Sequence, residues 1–276
     1  MTLLISCLTA KYIVTVSDRR LTSPKGKVVD DAANKVVFFA PDALFSYTGI
    51  AEINGLRTDE WIADQLYGQA GIQNAITNLT TALDATIKAL GAPNRHLTVV
   101  VDCWATKIGE TIGKPYSCAI TNCWDSTARK TASKPYGKFC TWTQTLPEGV
   151  GHTLLAQPEF AAPEVRNLRR DFVRVMRHAS AKPITISSQV AGRFMAKAVR
   201  QVASRDPRVG KSLMVSVLYN HELAENANNQ NSFSYLDDGS DKDITYIPTI
   251  VTPLMAMKSA KMYKGPPRFA IRHPAA

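Results

Sequence analysis

The order of strand-like and helix-like segments constrains the fold of this chain more than any other feature of the sequence. Before residue 50, four short runs rich in β-branched and aromatic residues predict strands. Apolar residues with helical spacing then predict two helices, and the pattern repeats with further strands, two more helices and a last group of strands. The predicted helices are 52–67, 72–90, 163–179 and 187–204, and the later β-rich segments are 97–101, 116–121, 139–145, 213–219 and 244–251. Because strands and helices come in blocks, we expect sheets packed on each other with helices in the outer layers.

The first two runs, 2–9 and 12–17, predict a β-hairpin with a two-residue turn at the start of the chain. A secretory leader is the alternative interpretation of the same residues. A leader requires a positively charged start and an unbroken apolar stretch. No basic residue precedes Leu3 here, and polar residues interrupt the apolar run. We therefore expect a strand that starts at residue 2 and no export signal.

Composition limits the class of protein. The chain has 276 residues, 45% of them hydrophobic, which is enough for one large domain with a substantial core. No run approaches the roughly 18 apolar residues of a membrane span. The five cysteines lie mostly in apolar, strand-like stretches, without the spacing of a metal site. These features predict buried free thiols, a cytoplasmic location and no contact with a membrane.

The formal net charge of +10 raises the question of nucleic acid binding. In the helix predicted over 163–179, Arg166, Arg170, Arg174 and Arg177 lie along one stripe, opposite an apolar one. A surface that binds the phosphate backbone of a nucleic acid has this pattern, but so does a solvated helix face or a contact with an acidic partner. No aromatic residues alternate with the arginines and no nucleic-acid motif is present, so nucleic acid is the least favoured of the three.

The common catalytic motifs are absent from the sequence. There is no Gly-x-Ser-x-Gly motif, the segment 209–212 lacks the first glycine of a phosphate-binding loop, and the five histidines are scattered. Thr2 offers a different chemistry if Met1 is removed. The hydroxyl of an N-terminal threonine can be activated by its own α-amine, whose pKa of about 7.7–8.0 suits proton transfer near neutrality.

Residues 2–66 resemble the N-terminal half of a proteasome β-type subunit, of the N-terminal-nucleophile hydrolase family. Thr2 matches the nucleophile of that family, Asp18 an aspartate at the end of the second strand, and Lys35 the active-site lysine. Gly49 matches the glycine whose N–H forms the oxyanion hole. Asp206, in the segment 204–210, matches an aspartate that helps to hold the terminal amine. The resemblance implies that these residues are catalytic.

The same resemblance implies residues that contact substrate. Thr22 matches a residue whose backbone pairs with the substrate, and Tyr47 matches the floor of the pocket that receives the side chain before the cleaved bond. The matching wall positions are Leu21, Ala51 and Gly55. Because tyrosine is bulky, we expect a shallow pocket that prefers small side chains. Two departures from the family are a valine, Val209, where it has a serine, and no serine in 149–153, the nearest counterpart of its Gly-Ser-Gly loop.

Together these observations predict an α+β fold, a four-layer αββα sandwich, with one domain over 1–257, a long loop at 222–243 and a basic, proline-containing tail at 258–276. The resemblance implies a threonine-type hydrolase, first of all a peptidase, that uses no metal or cofactor. An amidase acting on small amides and an inactive scaffold or binding subunit are the alternatives. As partners we expect a peptide or amide substrate and further copies of the chain in a ring, and the sequence does not tell whether an unfoldase takes part.

Overall fold

A computed structural model of the chain describes residues 3–23, 27–39, 43–89, 96–105, 114–125, 130–131, 135, 137–145, 152–157, 162–220, 232–237, 247–252, 255–259 and 262–264. In these residues the chain forms a mixed α/β fold with two large sheets and four helices. None of the described helices is both long and apolar enough to cross a membrane.

The first sheet has six strands. In chain order they are β1 (Leu4–Thr9), β2 (Tyr12–Asp18), β14 (His152–Gln157), β15 (Leu213–Tyr219), β16 (Ser232–Leu236) and β19 (Met262–Lys264). Their order in space is β14-β1-β2-β15-β16-β19. The predicted hairpin at the start of the chain is confirmed over its described residues, since β1 and β2 pair antiparallel with Leu4 opposite Ser17.

The second sheet has seven strands. In chain order they are β5 (Val36–Phe39), β6 (Ala43–Gly49), β9 (Leu97–Ala105), β10 (Lys114–Thr121), β13 (Cys140–Thr145), β17 (Ile247–Thr252) and β18 (Met255–Ser259). Their order in space is β13-β10-β9-β6-β5-β17-β18. Three short hairpins complete the described strands: β3 (Leu21–Thr22) with β4 (Val28–Asp30), β7 (Glu52–Ile53) with β8 (Leu56–Arg57), and β11 (Trp124–Asp125) with β12 (Lys130–Thr131).

The four helices are α1 (Thr58–Leu66), α2 (Ile72–Ala89), α3 (Ala162–Ala179) and α4 (Ile184–Ala203). Three of them match the predicted spans to within three residues. The prediction of a helix from residue 52 was wrong, because α1 starts six residues later, after the β7–β8 hairpin. Asn54 and Gly55 both have positive φ, 51° and 79°, and Asn-Gly is the pair that tight hairpin turns favour.

Two other predicted boundaries also need correction. Strand β16 lies inside the predicted loop 222–243, where Phe233 and Tyr235 are buried. Strand β18 runs into the predicted tail and β19 lies within it. In β16, Ser-Phe-Ser-Tyr-Leu, polar and apolar residues alternate, and such alternation is enough for a strand when a sheet edge is available.

Three apolar clusters form the core. The first joins one face of the first sheet to α3 and α4, and includes Ile5, Cys7, Val14, Phe172, Met176, Met195, Val199 and Val215. The second joins a face of the second sheet to α1 and α2, and includes Phe45, Tyr47, Ile62, Leu79, Leu83 and Val99. The third is smaller and contains residues of both sheets: Leu8, Ile13, Val36, Phe38, Leu44, Met214 and Leu218.

Strands β1 and β2 are buried at every position because each of their faces meets a different cluster. The buried positions nevertheless include the polar side chains of Ser6, Thr15 and Ser17, which alternate with the residues that pack in the first cluster. The five cysteines are free thiols, and four of them are buried, as the sequence predicted.

Candidate active site

The carboxylate of Asp18 is the centre of the candidate site. Asp18 ends β2, is fully buried, and accepts hydrogen bonds from three backbone N–H groups: Leu3 at 2.8 Å, Arg20 at 3.1 Å and Gly210 at 3.1 Å. It also accepts one from Nζ of Lys35 at 3.3 Å. A buried carboxylate needs this many donors because burial removes its water. The four contacts therefore hold the start of the chain, the end of β2 and the segment before β15 together.

Lys35 lies directly before β5, and its ammonium group is buried with no exposed surface. Besides Asp18, Nζ donates to the backbone carbonyl of Arg20 at 2.7 Å. Burial lowers the pKa of Lys35, and the Asp18 carboxylate beside it opposes that shift. A lysine whose pKa is lowered by burial can exchange a proton more readily than a lysine in water. Lys35 thus has the electrostatics of a group that holds or relays a proton.

The segment 204–210 is held against the end of β2 by a close backbone approach. A Cβ atom on Gly210 would lie 2.8 Å from Cβ of Arg20, so only glycine fits at this position. The Arg20 guanidinium donates to the Pro207 carbonyl at 2.6 Å and pairs with Asp31 at 2.6 Å. The structure therefore brings the predicted 204–210 segment to Asp18 through the backbone of Gly210.

Asp206 itself makes different contacts. Its carboxylate accepts hydrogen bonds from the backbone N–H of Arg208 at 2.9 Å and from the Arg208 guanidinium at 2.7 Å, 2.9 Å and 3.2 Å. The hydrogen bonds from Arg208 hold the pKa of Asp206 below its usual value. Val209, where the family has a serine, is buried in the first apolar cluster. In the described residues, Asp206 is thus tied to Arg208 and not to Asp18 or Lys35.

Gly49 ends β6 opposite Leu97 of β9. Its φ is +118°, and a Cβ atom would lie 2.0 Å from the carbonyl oxygen of His96, so no other residue fits here. The His96 ring contacts Thr98 Oγ1 through Nε2 at 3.2 Å, and burial lowers the pKa of His96. The sequence offered no reason to select His96 among five histidines, since its proximity to Gly49 depends on strand pairing.

Tyr47 is buried in the second apolar cluster, and its hydroxyl donates to the carbonyl of Asn34 at 3.2 Å. Burial raises the pKa of Tyr47 well above its usual value, so the phenol is neutral. The Asn34 amide donates to Asp59 at 2.8 Å, and Arg57 pairs with the same carboxylate at 3.3 Å. Burial also raises the pKa of Asp59. This polar network behind Tyr47 was not predicted, because its members are far apart in sequence.

The remaining predicted residues are spread around this centre. Leu21 and Thr22 form β3, which pairs with β4, and the Ala51 carbonyl accepts the N–H of Thr58 at 3.1 Å. Gly55 lies at the tip of the β7–β8 hairpin, and no atom is within 4 Å of a Cβ placed on it. Thr2 and the segment 146–151 lie outside the described residues. Within the described part of the chain, no group of three or more His, Cys, Asp or Glu could hold a metal ion.

Comparison with known proteins gives only a weak structural likeness. No protein-family profile matches the sequence, and no curated protein matches it. The chain overlaps eukaryotic HslV from Trypanosoma brucei with 15% identity and a TM-score of 0.37, covering 79% of this chain and 99% of the other. It overlaps the Anbu (Gly-1) mutant from Hyphomicrobium sp. strain MC1 with 11% identity and a TM-score of 0.46, covering 79% and 82%. Scores this low support no conclusion about fold or activity, so the assignment of function depends on the geometry of the site.

Proposed function

We propose that this protein is a threonine-type amide hydrolase, first of all a peptidase, whose nucleophile is Thr2 after removal of Met1. The observation that carries the proposal is the buried Lys35–Asp18 pair next to the N–H of Leu3. Leu3 follows Thr2 in the chain, and consecutive Cα atoms are only about 3.8 Å apart. A nucleophile at residue 2 would therefore be attached directly to the group that Asp18 holds.

In the proposed reaction, Thr2 Oγ attacks the carbonyl carbon of the substrate. Its proton passes to the α-amine of Thr2, whose pKa near 8 fits this role. The Lys35 ammonium stabilises the negative charge that develops on Oγ, while Asp18 keeps the ammonium charged and oriented. The amine of the substrate leaves with the proton, and an ester of Thr2 is formed. Water then hydrolyses this ester and regenerates the hydroxyl.

The proposed oxyanion donor is the N–H of Gly49. A single donor of this kind contributes a factor of about 10²–10³ to the rate. The left-handed backbone of Gly49 and its contact with the His96 carbonyl fix the peptide plane, which supports a preorganised donor. Thr22 is proposed to pair with the substrate backbone, and Leu21, Tyr47, Ala51 and Gly55 to surround the substrate side chain.

The architecture we propose is the four-layer αββα sandwich. Its support is the composition of the three clusters, since the smallest contains both sheets and each of the others joins one sheet to one pair of helices. Assembly into a homo-oligomeric ring, which rests on the family resemblance, and a cytoplasmic location, which rests on the free cysteines, are further parts of the proposal.

One observation favours an inactive scaffold as the second candidate. Asp206 is engaged by Arg208, and Val209 stands where the family pattern has a serine, so the hydrogen bond that this serine would give is missing. The alternative amidase differs from the peptidase only in the size of its substrate. Assays of the mature protein on fluorogenic peptides and on small amides distinguish the peptidase, the amidase and the inactive scaffold. We expect peptide cleavage that is lost in Thr2→Ala; cleavage of small amides alone would indicate the amidase, and no turnover of either would indicate the scaffold.

A further inference from the structure

The outer face of α3 is strongly cationic. Its exposed basic residues face solvent together with Lys182 of the following turn, and they are Arg169, Arg170, Arg174, Arg177 and His178. In the described part of this surface the one acidic side chain is Asp171, which lies 3.8 Å from Arg170. A cluster of like charges destabilises the isolated protein and attracts anions. The surface therefore has a charge that an acidic partner would neutralise.

A groove between α3 and α4 lies beside these charges. It has a volume of about 420 Å³ and is lined by the apolar residues Val175, Ala179 and Val190 and by the basic residues Arg174, His178 and Lys182. Ligand sites in proteins range from roughly 300 to 1,000 Å³. The groove therefore has room for a few aliphatic side chains, with cations along its edge.

The apolar side of α3 is not free to enter a membrane. Phe172, Met176 and Ala179 are buried in the first apolar cluster against α4 and the first sheet. Among the residues of this helix whose exposure is described, 167–179, Val173 is the one exposed large apolar residue, at 40% exposure. An interfacial helix needs a broad free apolar face, so the surface favours a partner that fills a groove over a lipid bilayer.

Nucleic acid fits the groove less well than a peptide does. Binding of single strands relies on Phe, Tyr or Trp side chains that stack on bases, and the groove is lined by none of them. The groove's cations suit phosphates as well as carboxylates, but its apolar residues, Val175, Ala179 and Val190, gain nothing from a phosphate backbone. An acidic peptide with aliphatic residues matches both properties, because its carboxylates would meet the cations while its aliphatic side chains would leave water.

We propose that the α3–α4 groove is a docking site for an acidic segment of a partner protein that carries an aliphatic anchor. In the complex, one or two aliphatic side chains occupy the space between Val175, Ala179 and Val190. The flanking carboxylates pair with Arg174, His178 and Lys182. The proposal does not depend on the hydrolase activity.

The test measures fluorescence anisotropy of a labelled, glutamate-rich peptide with two leucines one helical turn apart. We expect saturable binding by the full-length protein that weakens with added salt. Replacing both leucines of the peptide by serine should lower its affinity about tenfold, the effect of losing about 1.4 kcal/mol of apolar contact. Equal binding of the two peptides would overturn the proposal, since attraction of charges alone would then explain it.

A pair of matched variants tests the location. Arg174→Glu with Lys182→Glu should lower the affinity about tenfold or more. The control, Lys88→Glu with Lys197→Glu, has the same net charge and changes two exposed helical lysines outside the groove lining, and it should bind almost normally. Circular dichroism checks that both variants are folded. Equal loss in the two variants, or tighter binding of single-stranded RNA or of anionic phosphatidylserine vesicles than of the peptide, would contradict the proposal.

Discussion

Nζ of Lys35 lies 3.3 Å from Oδ2 of Asp18, and both side chains are fully buried. A buried ion pair of this kind seldom contributes net stability, because both charges lose their hydration. Asp18 does not depend on Lys35 alone, since the N–H groups of Leu3, Arg20 and Gly210 also donate to it. Because Asp18 keeps these backbone donors when Lys35 is replaced, a substitution of Lys35 can test its role in the proposed chemistry separately from its role in the fold.

We predict that Lys35→Ala abolishes amide hydrolysis while the protein stays folded. Asp18 keeps its three backbone donors, so the carboxylate is still hydrogen-bonded, whereas the proposed alkoxide loses its cation. Turnover of a fluorogenic peptide and circular dichroism at neutral pH measure the two effects. Lys27→Ala, which removes an exposed lysine, is the control. Near-native turnover of Lys35→Ala would exclude Lys35 from the mechanism and turn attention to His96.

Much of the fold could be predicted from the sequence because its signals are local. The strands β5, β6 and β15 and the helix α2 follow from β-branched runs and from apolar residues at helical spacing, such as Ile76, Leu79 and Leu83. The β7–β8 hairpin was missed although Asn54-Gly55 favours a tight turn, because apolar residues around it also fit a helix. Strand β16 was missed because its pairing with β15 is a long-range contact.

The candidate site was predictable only in part. Asp18 and Lys35 could be paired from the family resemblance, and the structure brings their side chains together. The contact of Gly210 with Asp18 spans 192 residues, and the resemblance assigned the segment 204–210 to the site through Asp206 and not through the backbone of Gly210. The bidentate pairing of Asp206 with Arg208 could not be predicted either. The two residues are only two positions apart, but the direction of their side chains depends on the conformation of the turn between them.

A second prediction concerns Tyr47. The phenol of Tyr47 is buried, and the resemblance assigns its position to the floor of the pocket for a substrate side chain. We expect the wild type to prefer Ala, Ser or Val before the cleaved bond over Phe, Tyr or Arg. Forcing a large side chain against a packed wall costs about 1–3 kcal/mol, or roughly 5- to 150-fold in rate. Tyr47→Ala should shift the preference toward large side chains.

Cleavage of a peptide library by the wild type, Tyr47→Ala and Tyr47→Phe measures this preference. Tyr47→Phe keeps the bulk and loses only the hydrogen bond to Asn34, so its profile should resemble that of the wild type. A wild-type preference for large aromatic or basic residues would show that the pocket is open and that Tyr47 does not fill it.

A third prediction concerns Asp102, a fully buried carboxyl group on β9. It accepts hydrogen bonds from Ser117 of the same sheet at 2.6 Å and from Thr15 of the other sheet at 3.4 Å. Burial raises the pKa of Asp102 above the ordinary value of 3.8, and the hydroxyl hydrogen bonds only partly oppose this. The folded protein therefore binds this proton more tightly than the unfolded chain does.

The sign of the effect follows from proton linkage. As pH rises from the unfolded pKa through the raised folded pKa, the contribution of Asp102 to stability is lost. The variant Asp102→Asn has no carboxyl group to ionise, so it should not lose stability as pH rises. At neutral pH its free energy of unfolding should exceed that of the wild type by on the order of 1 kcal/mol. Near pH 4 the difference should be smaller. Urea unfolding across this range measures it, with exposed Asp171→Asn as the control. A difference that does not vary with pH would contradict the assignment.

The most direct test of the central claim is the intact mass of the purified protein before and after reaction with an electrophile directed at N-terminal threonine. We predict that the protein lacks Met1 and gains the mass of one electrophile. Thr2→Ala should gain none, and Lys35→Ala should react far more slowly, while Lys27→Ala should react like the wild type. A protein that hydrolyses peptides while it retains Met1, or that is labelled equally well after Thr2→Ala, would contradict the account.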